Sequence, residues 1–425
     1  MGFRLLYLTI SFCFAVACTN QKTSEIEPVN AFVGAQLIDG TGSNPVNDAV
    51  LLISNGVITA VGSHDAIAIP ENAIVTDLVG KTIMPGIINA HGHIGGTEGL
   101  TSSYSAENVM RDLKLNTAYG VTTIYSLGGD GPESVAIRDE QDSVVLNRSR
   151  LYVAGEVVVG NTPEEARSIV DKNAAMNVDF IKIRIDDNLG TTEKMTPTVY
   201  EAIIDQAKKH NLEVVAHIFY LEDAKALLRL GVKFIGHSVR DQPVDDEFIA
   251  LMKENGATYC PTLMREVSTF VYESTPDFFE DPFFLAHSDT SIINELKNPE
   301  RQQKVRVSKS AIGYKKGLVI AKQNLKRLSD AGIKIAFGTD TGPPARFQGY
   351  FEHLEFEQMV DAGITPMQAI VAASGNAVYN NHKSKLGTLE AGKQADFLIL
   401  SKDPLLDIKN TRSIESVWIG GNKIR

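Results

Sequence analysis

Strand-like runs alternate with helical stretches through the centre of the chain, and β-rich segments stand at both ends. With 425 residues, more than one small domain needs, these observations predict an α/β fold. The expected architecture is a TIM (β/α)8 barrel with a small β-sandwich subdomain formed by the N- and C-terminal segments. A signal segment over 1–18, a tether over 19–30, the β-sandwich from 31–84 and 385–425, and the barrel over 85–384 make up the expected organisation.

In chain order, one basic residue, Arg4, precedes an apolar run from Leu5 to Ala17, and polar residues follow. The run is short for a bilayer span and fits a signal-peptide core. Its ending, "AVAC", resembles the bacterial lipoprotein signal, which implies lipidation of Cys18 and an exported, periplasmic or membrane-anchored bacterial lipoprotein. An ordinary secretory signal cut nearby is the alternative. Cys13 leaves with the signal and a lipidated Cys18 cannot pair, so Cys260 stands alone and no intramolecular disulfide is expected.

Next, "AFVGAQLIDGTG", "AVLLISNGVITAVG" and "AIVTDLVGKTIMPG" form β-rich runs broken by Asp-Gly, Asn-Gly and Gly-Lys turn signals. The same texture returns in "ADFLILSKDP" and "IESVWIGGNKIR", so the two ends are expected to complete one subdomain. Between them, "TIMPGIINAHGHI", "VTTIYSL", "RLYVAGEVV", "DFIKIRI", "EVVAHIF", "FIGHSV", "ATYCPTL" and "IKIAFGTD" are separated by helical patterns such as 163–176 and "TPTVYEAIIDQAKKHN". Eight such units over about 300 residues fit a barrel, whose active residues come from C-terminal strand ends. A doubly wound sheet is the rival, but no glycine-rich dinucleotide fingerprint follows the early strands.

The formal net charge of −11 argues against a nucleic-acid partner, which needs a basic footprint. A small-molecule substrate is expected instead, with membrane contact only through the N-terminal lipid, and a homo-oligomer is compatible with the chain.

His91 and His93 lie two apart on one strand and so share a face, an arrangement suited to a metal. His217 and His237 end two later strands, and Asp340 ends the last one. Each has a bland reading: a satisfied core histidine, or an aspartate capping a turn. Together they point at one centre.

"PGIINAHGH", "GVTTI", "DFIKI", "AGITPMQAI" and "LGTLEAGKQADFLIL", with these ligand positions, resemble the amidohydrolase superfamily, in its imidazolonepropionase-like and Xaa-Pro-dipeptidase-like branch, from about residue 31 to the C-terminus. The resemblance implies two divalent metal ions, with zinc as the default. His91, His93 and Asp340 would hold one, His217 and His237 the other, and Lys182, carboxylated by CO2, would bridge them. A bridging water acidified by both cations would attack a carbonyl, with Asp340 as the proton acceptor and donor. That is hydrolysis of an amide-like C–N bond, by a dipeptidase or N-acyl-amino-acid hydrolase. Cyclic amides, lactones and phosphotriesters remain open, as do a mononuclear deaminase and a non-catalytic surface-binding lipoprotein.

Strand alternation supports the lysine independently. In "DFIKIRI" it sends Ile181, Ile183 and Ile185 to the helix-covered face and Phe180, Lys182 and Arg184 into the barrel. An ammonium would repel two dications, whereas its carbamate is an anion; pairing with an interior carboxylate is the alternative. Arg184 and Arg240 are candidate binders of a substrate carboxylate, with rim ion pairs, that of Arg240 to Asp241, as the competing role. His353, on a probable helix after Asp340, is a third substrate candidate. His64, His210, His287 and His382 are read as surface residues. The aromatic-rich stretch 264–316 is expected to form a lid or pocket wall, or else a structural or dimer contact. Ser126 departs from the polar pairs that relatives often carry after that strand.

Overall fold

The computed structural model describes residue 2, residues 29–378 and residues 385–425. The signal, Cys18, nearly all of the tether and His382 lie outside the described residues. Among those described, no helix is long and apolar enough to cross a membrane.

Eight parallel strands form the barrel: Ile87–Gly92, Val121–Ser126, Arg150–Val153, Ile181–Arg184, Val214–His217, Phe234–Ile235, Thr258–Tyr259 and Lys334–Ile335. They pair as an arc of three and an arc of five. Single parallel bridges, Val158 to Ile183 and Gly92 to Thr341, join the arcs on both sides. Alternation divides the core as expected. Ile181, Ile183 and Ile185 pack in the large cluster shared with the surrounding helices. Phe180 instead joins Ile88, Ala90, Tyr125, Val215, Phe234 and Cys260 in the interior cluster. Burying one such isoleucine stabilises the fold by roughly 1.5–3 kcal/mol.

Helices start where side chains cap them. Thr162 accepts from the Glu165 N–H ahead of Pro163–Ala175, and Asp245 accepts from the Phe248 N–H ahead of Asp246–Glu254. In Pro197–Lys209, Val199, Tyr200, Ala202, Ile203, Ile204 and Ala207 make one buried stripe at helical spacing.

The two ends of the chain meet in one eight-stranded sheet. Phe397–Leu400 pairs antiparallel with Thr82–Pro85, which joins the C-terminal segment to the N-terminal strands. Val46–Ser54 turns into Val57–Ser63 through Asn55 and Gly56, both at positive φ (51° and 76°), as a tight hairpin requires. Arg150 on the third barrel strand holds Asp396 by a buried ion pair of 2.8 Å, locking this sheet onto the barrel.

The aromatic stretch has a structural role. Tyr272, Phe279 and Phe284 are buried with Tyr350 and Phe351 of the helix Tyr350–Asp361. Phe278 and Phe347 pack around them edge to face. The apolar surface that suggested a pocket wall is mostly consumed in this satellite core.

Candidate metal centre

His91 ends the first barrel strand fully buried, its Nε2 3.0 Å from Lys182 Nζ and 3.5 Å from Asp340 Oδ1. His93 meets the Gly128 carbonyl through Nδ1 at 2.9 Å, which leaves Nε2 2.9 Å from Asp340 Oδ1. Gly128 has φ +117°, and a Cβ there would fall 2.3 Å from Val157, so only glycine can turn this carbonyl to His93. Ser126 explains itself here: its hydroxyl donates to Asp130 at 2.5 Å, and Asp130 accepts from the Ala154 and Gly155 N–H groups. That anchors the turn carrying Gly128. Burial pushes the Asp130 carboxyl up to about 6 against these hydrogen bonds.

Asp340 sits at φ +59°, a conformation costing a non-glycine residue roughly 1–3 kcal/mol unless its surroundings impose it. They do. Its N–H donates to the His91 carbonyl at 2.7 Å, and its neighbours Thr339 and Thr341 join Asn89 in a buried network on Glu352. Arg346 donates to Asp340 Oδ2. Burial opposes ionisation of Asp340, but Arg346 and the two histidines outweigh it and hold the carboxyl well below its usual range.

His237 Nδ1 meets the Thr262 hydroxyl at 2.6 Å, and its buried Nε2 has no hydrogen-bond partner among the described residues. Its ring lies 4.4 Å from that of His91 and 4.0 Å from that of His217. His217 Nε2 is 3.1 Å from Asp186 Oδ2. Burial keeps the imidazoles neutral: His91 and His237 are driven well below the usual range, and His217 down to about 4. Burial also lowers Lys182 to about 8, although Asp340 and others pull the other way.

The structure therefore brings His91, His93, Lys182, His217, His237 and Asp340 to one centre. The donor atoms of His91, His93 and Asp340 lie within 4.8 Å of one another, a group able to hold a metal ion. The His93 and His237 rings, each fixed through Nδ1, the orphaned Nε2 of His237 and the ionised Asp340 carboxylate fit a divalent cation.

The other candidates separate. Arg184 is exposed at the mouth, where a cavity of 340 Å³ is lined also by Asp186, Glu193 and Lys194. Arg240 is fully buried; its partner is Glu266, 26 residues on, at 3.1 Å, and not Asp241, which instead accepts the Leu221 N–H. Its guanidinium also donates to the Ser238 carbonyl and lies over the Phe219 ring, away from the rim. His353 stands apart from the centre. Both its nitrogens are taken, by the Tyr119 carbonyl and the Thr411 hydroxyl at 2.9 Å each, which bind its helix to the C-terminal segment. Sequence reasoning missed Arg346, Thr262, Gly128 and Asp186. Only Asp186 left a signal, since it shares strand parity with Lys182.

Donors able to hold a metal ion thus gather at the C-terminal strand ends of a (β/α)8 barrel, where enzymes of that fold carry their active sites. The match to the amidohydrolase family extends over residues 82–424, and the chain belongs to that family. It is 26% identical to ochratoxinase from Aspergillus niger over 94% of this chain and 87% of the relative. To imidazolonepropionase from Rhodococcus jostii it is 21% identical, over 88% of each chain. A solved Xaa-Pro dipeptidase with bound methionine shares the fold, with a TM-score of 0.74 and 22% identity over 93% of this chain and 99% of that one. The protein is thus a hydrolase of this family, consistent with action on C–N bonds.

Proposed function

We propose that the chain hydrolyses the amide bond of a small N-acyl-amino acid or dipeptide, using two divalent ions. In this reading His91, His93 and Asp340 would hold one ion and His217 and His237 the other, with Lys182, as a carbamate, supplying an anion shared between them. When bound, the ions supply Lewis acidity toward the carbonyl and a more acidic water.

The chain's own residues do the rest. A buried amine with a lowered pKa is partly neutral near pH 8, the form that adds to CO2 and releases a proton. Asp340, kept ionised by Arg346, takes the proton of the attacking water and returns it to the leaving nitrogen. Arg184 receives the substrate carboxylate at the mouth. The observation that carries the proposal is the convergence of six donors at the strand ends, with burial keeping the His91, His217 and His237 imidazoles neutral.

The test is metal analysis of purified protein with and without bicarbonate, followed by a screen of dipeptides and N-acyl-amino acids. About two ions per chain are expected, with loss of ions and of activity in Lys182→Ala. Full metal content and activity in that variant would refute the bridging role. We further propose that the chain is exported and held at a membrane by lipid on Cys18.

A further inference from the structure

Asp186 lies four residues beyond Lys182, in the bend just past the end of the strand Ile181–Arg184. Its side chain is 1% exposed. One oxygen is 3.1 Å from His217 Nε2, and the other is buried without a hydrogen-bond partner among the described residues. A desolvated carboxylate oxygen with nothing to accept is uncommon and calls for a ligand.

The spacing says which ligand. Two donors bound to one tetrahedral ion at about 2.0–2.2 Å stand roughly 3.3 Å apart. Asp186 and His217 have nearly that separation, as do His93 and Asp340 at 2.9 Å. The His237 ring lies 4.0 Å from that of His217 and offers its orphaned Nε2 beside this pair.

We infer that Asp186 is a direct ligand of the ion held by His217 and His237. The inference rests on the two-ion reading above. It adds a third anion to the Asp340 carboxylate and the Lys182 carbamate, so two dications would retain one net positive charge instead of two. It also makes the second position richer in oxygen, which shifts its preference toward harder ions such as Mn2+.

The rival role is positional: Asp186 accepts a hydrogen bond from His217 and never touches the ion. Losing a partner of that kind costs ~10–100-fold in metal affinity, so affinity alone does not decide. The experiment is titration of the metal-free full-length protein, in bicarbonate, with Co2+ alone, read by visible absorbance and by ions bound per chain. Asp186→Asn and Asp186→Glu are compared with wild type, and melting of the metal-free proteins confirms folding.

In Asp186→Asn the second ion is expected to bind more than ~100-fold more weakly. Its bands should intensify as the coordination number falls, while the first ion is unchanged. Asp186→Glu should restore the wild-type bands in part. Unchanged bands in Asp186→Asn overturn the assignment whatever the affinity. Uptake of a single ion by wild type overturns the two-ion reading itself, and that is seen before any variant is tested.

Discussion

Replacing Arg184 by methionine removes a guanidinium while keeping an unbranched apolar stem. Among the described residues this guanidinium has no hydrogen-bond or ion-pair partner. The other cation of the cavity, Lys194, is paired with Asp223 at 2.7 Å and lies over the Tyr220 ring. Arg184 is therefore the one of the two with a charge to offer an incoming carboxylate. A charge-assisted hydrogen bond is worth about 1.5–3 kcal/mol. Solvent at the mouth screens it toward the lower end, about 1.4 kcal/mol, or a factor of ten. The assay is steady-state kinetics on an N-acyl-amino acid and on its C-terminal amide. The variant's KM for the acid should rise about tenfold with kcat nearly unchanged, and its KM for the amide should stay put. The wild-type KM for the acid should climb with ionic strength, and that slope should flatten in the variant. Equal effects on both substrates would mean that Arg184 shapes the mouth without reading charge.

Other perturbations probe the frame and the address. Arg150→Ala leaves Asp396, 8% exposed, without its cation; breaking such a pair costs about 3–5 kcal/mol and should lower Tm by on the order of 10 °C, whereas Arg150→Met with Asp396→Leu should recover most of it. An unaltered Tm in Arg150→Ala would show that the terminal sheet is held by other contacts. In metal-free protein, the His217 pKa near 4 lies below the unfolded value, so between roughly pH 6.5 and 4 the unfolded chain binds the extra proton. Stability should therefore fall as pH falls through that window, by about 3 kcal/mol for this residue, and thermal melts of His217→Asn should show a shallower slope. A second decline should follow below about pH 4, as Asp186, near 2 in the fold, takes up its proton. Cys18→Ala should move the protein from the membrane to the soluble fraction on cell fractionation; a variant that stays with the membrane removes the lipid as anchor.

How much of this was legible in the sequence depends on which physics places each residue. Strand alternation is local, so Lys182 could be turned inward and Ile181, Ile183 and Ile185 outward from seven letters, and the two core clusters divide along that line. The histidines were legible because polar rings at the ends of apolar strands have few other uses. Residues on loops obey no such period. Arg346 reaches Asp340 because Asp340 and Ala345 both take left-handed conformations that bend the segment back; Gly342 and the two prolines of "TDTGPPARF" announce a turn but not that it brings Arg346 onto Asp340. Arg240 and Glu266 are joined by the packing of consecutive barrel exits, so a search among neighbours in sequence found Asp241 instead. His353 misled for the opposite reason: a helical histidine near Asp340 looked functional, but its helix turns it toward Tyr119 and Thr411.

Asp186 is the instructive case, because the rule that found Lys182 also reaches it. Alternation was applied up to Arg184, where the strand ends; two residues on, in the bend that follows, Asp186 keeps the same parity and is buried against His217. At Lys182 burial of a cation demanded an explanation, and the histidines supplied it. At Asp186 burial of an anion demands the same, and an ion beside His217 meets it where a hydrogen bond from one imidazole leaves an oxygen unmatched. A buried charge at a strand end is thus best treated as half of an interaction, whichever its sign, and the missing half is where function should be sought.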